Sequence, residues 1–192
     1  MSQSYAVDSL EDYQDHLNYH AELGAHRKLL EFREWYMKFF LPPQGGRILD
    51  IGGYTGATAI HYAEKGHEVV SVEAAKVLCE EFRKNTKHLP NVTLVQSLIE
   101  NYIAKEPFDA CCCTEILNHV IDPLILLGVA HKSLKDTAEM FVTVTNREFP
   151  PIPHISQDEL GQLLWDAGFN SRVKMWDDGM HTGQFIAWGQ KR

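Results

Sequence analysis

Ile48-Leu49-Asp50-Ile51 runs directly into Gly52-Gly53-Tyr54-Thr55-Gly56, and a helical pattern over Thr55–Lys65 follows. An apolar run that meets a glycine-rich turn and then a helix opens a strand–loop–helix unit. The alternation continues. Arg47–Ile51, Glu68–Glu73, Val92–Val95, Phe108–Cys113 and Met140–Thr145 read as strands. Between them, Ala75–Lys87 reads as a helix, and a short helix is expected near Leu98–Ala104. Asp122 before Pro123 caps another helix, and Ser156-Gln157-Asp158-Glu159 is a capping box for one that reaches Ala167. Strand–helix alternation from Arg47 to Ala167 requires a parallel sheet with helices on both faces. No helix separates the last two strands, Asn170–Trp176 and Gln184–Gly189, so the α/β sheet has seven strands, mostly parallel, with an antiparallel last strand.

Ahead of this block lie two amphipathic stretches, Asp8–Leu23 and Ala25–Phe40, closed by Pro42-Pro43-Gln44-Gly45-Gly46. They divide the chain into an N-terminal helical cap, 1–46, and a main domain, 47–192. The segments after the fifth and sixth strands are short, so the helical pair is expected to form the lid over the ligand. The chain's 192 residues suffice for one core and are awkward for two. No run approaches the ~18 apolar residues that span a bilayer, and the start, Met1-Ser2-Gln3-Ser4-Tyr5, has no secretory pattern. A cytoplasmic monomer or homodimer is expected. A formal net charge of −8 repels a phosphate backbone and disfavours nucleic acid as partner. Cys111, Cys112 and Cys113 are consecutive and read as a buried strand, with Cys79 elsewhere; they form neither a disulfide framework nor a metal pattern. His16 and His20 are spaced i, i+4 with no third ligand in view, and no metal is expected.

Ligands in such sheets bind at the carboxyl ends of the strands, where strand order reverses. Gly52, Gly53 and Gly56 do not fit the G-x-G-x-x-G spacing of a dinucleotide loop. Asp50 lies near the end of the first strand, where a diphosphate would otherwise sit. A carboxylate there suits a ligand with an ammonium or sulfonium group, or else braces the loop as a hydrogen-bond acceptor. Glu73 ends the second strand about twenty residues further on, placed to accept bonds from both hydroxyls of a ribose.

On these residues the sequence resembles the class I S-adenosylmethionine-dependent methyltransferases, particularly the ubiquinone- and menaquinone-biosynthesis group that methylates small molecules. Asp50, Gly52 and Gly56 match the first motif, D-x-G-x-G-x-G, with Tyr54 in place of the middle glycine. Val92–Ser97 is similar to the third strand and its adenine-facing loop, without the family's frequent Asp near Leu98. Thr114–Pro123 is similar to the segment after the fourth strand, with Asn118 where an acid is usual. Asp136-Thr137-Ala138 replaces a Pro-Gly-Gly turn. The resemblance implies a Rossmann-like sheet and S-adenosyl-L-methionine as cofactor. It implies cofactor contacts from Asp50, Gly52, Gly53, Tyr54, Thr55, Gly56, Glu73, Ala74, Ser97, Leu98, Ile99 and Thr114.

Methyl transfer from a sulfonium is an in-line displacement, and alignment supplies most of the catalysis. A base helps a hydroxyl or protonated amine acceptor. The candidates are His119, His154 and Glu115, with Tyr19 and His20 from the N-terminal helices. The reading is methyl transfer to a small-molecule acceptor, at O or N rather than C. A non-catalytic cofactor-binding or scaffold protein, and a protein or tRNA methyltransferase, are the alternatives.

Overall fold

The computed structural model of the chain describes residues 36–120, 122–145, 155–176 and 184–192. Seven strands form one sheet: β1 (Arg47–Ile51), β2 (Glu68–Glu73), β3 (Val92–Gln96), β4 (Phe108–Thr114), β5 (Leu134–Thr145), β6 (Phe169–Trp176) and β7 (Gln184–Lys191). Their order is β3-β2-β1-β4-β5-β7-β6. β7, the last in sequence, is antiparallel to both neighbours, and the pairs from β3 to β5 are parallel. Four α-helices are described: α1 (Ala57–Ala63), α2 (Lys76–Thr86), α3 (Pro123–Ser133) and α4 (Gln157–Asp166). The expected class of sheet, with its antiparallel last strand and helices on both faces, is what forms.

Side-chain alternation along the strands sorts the core into two halves. Leu49, Ile51, Cys111, Cys113, Met140, Val142 and Val144 pack beneath Leu126, Leu127 and Ala130 of α3 and Leu160 and Leu164 of α4. On the other face Ile48, Ala110, Cys112, Phe141 and Ile186 meet Ala59 and Tyr62 of α1, Phe82 of α2, and Tyr36, Met37 and Phe40. Phe40 stacks on Phe141 with ring centroids 5.3 Å apart, and the Tyr62 hydroxyl lies 3.2 Å from the Phe40 carbonyl. Both expected caps are present. Asp122 accepts the Leu124 N–H at 2.9 Å with Pro123 in the first turn, and Ser156 and Glu159 complete a reciprocal capping box.

Several boundaries differ from the pattern reading by a residue or two, and three differences have a local cause in the structure. α1 begins at Ala57, not Thr55, because Gly56 takes a left-handed φ of 96° as its N-cap. The helix expected over Leu98–Ala104 is a single 3-10 turn, Ile99–Asn101, entered and left through extended residues. β5 starts at Leu134, six residues before Met140. With no Pro-Gly-Gly turn, α3 feeds straight into the strand, and Leu134 is buried opposite Phe108. The step is absorbed by a register shift between Phe108 and Ala110 and by Thr137 at φ 63°.

Of the expected helical cap, only residues 36–46 are described, and the remainder of the proposed lid lies outside the described residues. Tyr36, Met37 and Phe40 are buried in the core of the sheet itself. Among the described residues no helix is long and apolar enough to cross a membrane.

Candidate functional site

The chain leaves β1 toward β2 on one side and returns to β4 on the other, so the strand order reverses between β1 and β4. Four connecting segments meet at this end of the sheet: 52–56, 74–75, 97–98 and 115–116. Glu73 ties the first two together. Its Oε2 accepts the Tyr54 N–H at 2.9 Å and its Oε1 accepts the Ala75 N–H at 3.0 Å. Its carbonyl accepts the Ser97 N–H at 3.0 Å, which joins the third segment to the same residue.

The glycine loop is held from inside. Gly52 and Gly53 both donate to the Val72 carbonyl, at 2.9 and 3.3 Å. A Cβ at Gly53 would sit 2.9 Å from Ser71 Cβ and 3.0 Å from the Phe82 ring. Gly52 has φ 78°, and a Cβ there would press on Ile116 at 3.2 Å. Internal packing therefore demands these glycines whatever the loop binds. Tyr54 takes φ 50°, a conformation that costs a side-chain-bearing residue roughly 1–2 kcal/mol. Its side chain is buried against Ala75 and Leu78. Tyr54 thus adopts the backbone form of the glycine it replaces while its ring closes the gap between loop and α2.

Asp50 is fully buried. Its Oδ2 accepts from Ser71 Oγ at 2.7 Å, and its Oδ1 lies 3.6 Å from Cys112 Sγ, which donates to it. The carboxylate sits beneath Gly53, whose Cβ position is 3.4 Å from Oδ2. This geometry is that of a brace, carrying negative charge up to the floor of the loop. Burial, and secondarily the Asp50 charge, hold the Cys112 thiol well above its ordinary pKa, and burial does the same for Cys111 and Cys113. Buried thiols in that state are not nucleophiles.

Ala74 is half-buried, and Ser97 directs its hydroxyl to the Leu98 carbonyl at 2.8 Å. Leu98 is 51% exposed, while Ile99 is buried. Thr55 is half-buried, and its carbonyl accepts from Asn85 at 2.9 Å. Thr114 is buried at the end of β4. Glu115 follows it at φ 55°, donating its N–H to the Thr143 carbonyl at 3.0 Å. His119 closes a 3-10 turn, donates its N–H to the Ile116 carbonyl at 2.8 Å, and is half-buried. His154, Tyr19, His16 and His20 lie outside the described residues. Among the described residues no group of three His, Cys, Asp or Glu is placed to hold a metal.

Three contributors escape a reading of sequence alone. Ser71 carried a signal, a lone polar residue in Val69-Val70-Ser71-Val72, and it stands in register with Asp50. Thr143 and Gln184 carried none, because Thr is an ordinary strand residue and Gln an ordinary surface one. A cavity of about 390 Å³ opens at the opposite end of the sheet, lined by Pro42, Pro43, Asp109, Lys135 and Thr137 among others. It lies at the amino ends of β4 and β5, away from all of these residues.

A methyltransferase domain family matches residues 23–172. A ubiquinone biosynthesis O-methyltransferase of Xylella fastidiosa is 30% identical over 115 residues, 58% of this chain and 47% of that protein. The chain thus spans about half the length of the curated relatives it matches. Among solved structures, a possible histamine N-methyltransferase of Thermotoga maritima aligns with TM-score 0.70 at 21% identity, over 91% of this chain and 95% of that one. The [4+2]-cyclase SpnF aligns with TM-score 0.71 at 14% identity, over 84% and 81%. Likenesses at this identity establish the fold, and the cyclase shows that one fold houses more than one reaction.

Proposed function

Because this chain belongs to the methyltransferase domain family, we propose that it transfers the methyl group of S-adenosyl-L-methionine to a small-molecule acceptor, at oxygen or nitrogen, by in-line displacement. One observation carries the reading. Glu73 is clamped by the Tyr54 and Ala75 N–H groups at the end of β2, with Asp50 buried under the adjoining loop. A carboxylate at the mouth of the sheet and another beneath its loop, with no described lysine or arginine among the site residues, suit a cationic nucleoside and repel a diphosphate. When bound, the cofactor supplies a methyl carbon on a sulfonium that is already a good leaving group.

The chain's own residues do the rest. Glu73 holds the ribose. Leu98 covers one face of the base, while backbone groups around Ser97, Leu98 and Ile99 meet its edge. Gly52 to Gly56 and Thr114 line the methionine side, and Asp50 acts on it through the loop that it braces. Glu115 and His119 stand on the acceptor side as groups that can take a proton from a hydroxyl or an ammonium, and His154 is the further candidate from the sequence. The N-terminal helical pair expected over Asp8–Phe40 is the lid to which this reading assigns the exclusion of water. The match to an O-methyltransferase and the likeness to a possible N-methyltransferase support a small acceptor. The four reduced thiols and the acidic composition support a cytoplasmic protein that does not act on nucleic acid.

A second reading, a protein that uses the fold without methyl transfer, draws on Tyr54, whose ring fills space beside the glycine loop. Calorimetry with S-adenosylhomocysteine tests the site, and labelled-methyl turnover with a pool of hydroxyl and amine metabolites tests the reaction. Binding with turnover is expected. Binding without turnover favours a cofactor-binding protein that does not transfer methyl, and no binding removes the methyltransferase reading and leaves the scaffold.

A further inference from the structure

Two buried hydroxyls stand side by side where β4 and β5 end. Thr114 pairs with Thr143 in the sheet register. Thr114 is 1% exposed and Thr143 not at all, and neither hydroxyl has a hydrogen-bond partner among the described residues. A buried hydroxyl left unpaired is destabilising. Valine has the same shape without that cost, and the strand uses it on the opposite face at Val142 and Val144. Shape alone does not account for two threonines in register.

Their surroundings point to a ligand. Strand alternation turns both toward the face that carries Asp50 and Phe141. Glu115, next in sequence, holds the positive φ noted above, a strain that concentrates at functional sites. With its amide oriented to satisfy its neighbours, Gln184 of β7 donates to Glu115 Oε1 at 3.1 Å and to the Val144 carbonyl at 3.2 Å. The corner therefore presents a fixed carboxylate and two hydroxyls, each able both to donate and to accept. A neutral hydroxyl, which also does both, satisfies the pair in a way that a purely donating ammonium cannot.

We propose that Thr114 and Thr143 are the specificity-determining residues for the methyl acceptor, docking it by an uncharged hydroxyl. The inference rests on the methyltransferase reading and adds to it the chemistry of the acceptor's anchoring group. Thr143 is the cleaner test because Thr114 also borders the cofactor.

The experiment titrates phenol, a minimal ring-borne hydroxyl, into protein saturated with S-adenosylhomocysteine. Wild type, Thr143→Val and Thr143→Ser are compared, with toluene as the control ligand. Phenol affinity is expected to fall about fivefold or more in Thr143→Val and to be retained in Thr143→Ser. Toluene should not distinguish the three. The thermal midpoint of Thr143→Val alone is expected to stay level or rise, since it loses no bond. Equal phenol affinity across the series, no saturable phenol binding to wild type, or a lowered midpoint in Thr143→Val overturns the assignment. Failure of S-adenosylhomocysteine to bind wild type is a different result, because it removes the methyltransferase reading itself.

Discussion

The carboxyl ends of β1 to β3 and those of β4, β5 and β7 belong to one sheet but handle their polar groups differently. In the first region the buried carboxylates are bonded from within: Asp50 by Ser71, and Glu73 by the N–H groups of Tyr54 and Ala75. In the second, the Thr114 and Thr143 hydroxyls lack hydrogen-bond partners among the described residues. A bonded polar shell is rigid before ligand arrives, whereas unpaired buried hydroxyls acquire their bonds only when something else comes in. The difference teaches a division of labour. The half assigned to the cofactor is built in advance, and the half assigned to the acceptor is completed by what it binds.

The largest expected break comes at Glu73. Glu73→Ala removes two charge-assisted bonds to ribose, each worth roughly 1.5 kcal/mol, so S-adenosylhomocysteine affinity should fall about 100-fold by calorimetry. It also strips the acceptors from the Tyr54 and Ala75 N–H groups, so the thermal midpoint should drop too. If affinity stays within about threefold of wild type, the pre-built half is a structural clamp and the comparison collapses.

Asp50 sharpens the same point, with the weight reversed. Because its carboxylate is fully buried and serves Ser71 and Cys112, Asp50→Ala should act on folding before it acts on ligand. A loss of about 2 kcal/mol in denaturant unfolding is expected, the cost of leaving the Ser71 hydroxyl without its acceptor. Asp50→Asn keeps an acceptor oxygen and should recover most of that stability while still weakening the cofactor by removing the charge. Equal stability in both variants would show that charge, and not bonding, is what this position contributes.

The first region was also the more legible in sequence. Asp50, the glycines and Glu73 are separated by short, fixed distances along one strand–loop–helix–strand unit, and local spacing alone brings them together. The two caps at Asp122 and Ser156 were legible for the same reason: the bonds that make them span two or three residues. Gly52 and Gly53 were legible as a tight turn, but the Ile116, Ser71 and Phe82 side chains that enforce them were not. The β4–β5–β7 corner joins Thr114, Thr143 and Gln184 from distant stretches of chain, and nothing in the pattern of each strand announces its neighbour. The early start of β5 was hidden likewise, because Leu134 is a strand residue only by virtue of Phe108 beside it.

The smallest expected effect separates the two regions by pH. His131 ends α3, with its ring 5.2 Å from Phe169 and its Nε2 only 2.8 Å from where a Cβ on Gly168 would lie. Burial, with the Lys191 ammonium in support, holds its pKa below the ordinary value near 6.5. The folded state therefore prefers the neutral ring. Its contribution is complete above the unfolded pKa and is lost as pH falls through the folded one. The thermal midpoint of wild type should decline from pH 7 to pH 5 more steeply than that of His131→Phe, which keeps a ring and removes the titration. Hydrogen exchange should show the acid loosening in α3 and in β6 where Phe169 begins, with β1 to β3 unchanged. Equal slopes in both proteins would free His131 of the effect. Acid loosening that reached the Glu73 clamp would mean that the two halves of the sheet open as one unit, and the difference between them would then be one of hydrogen bonding alone.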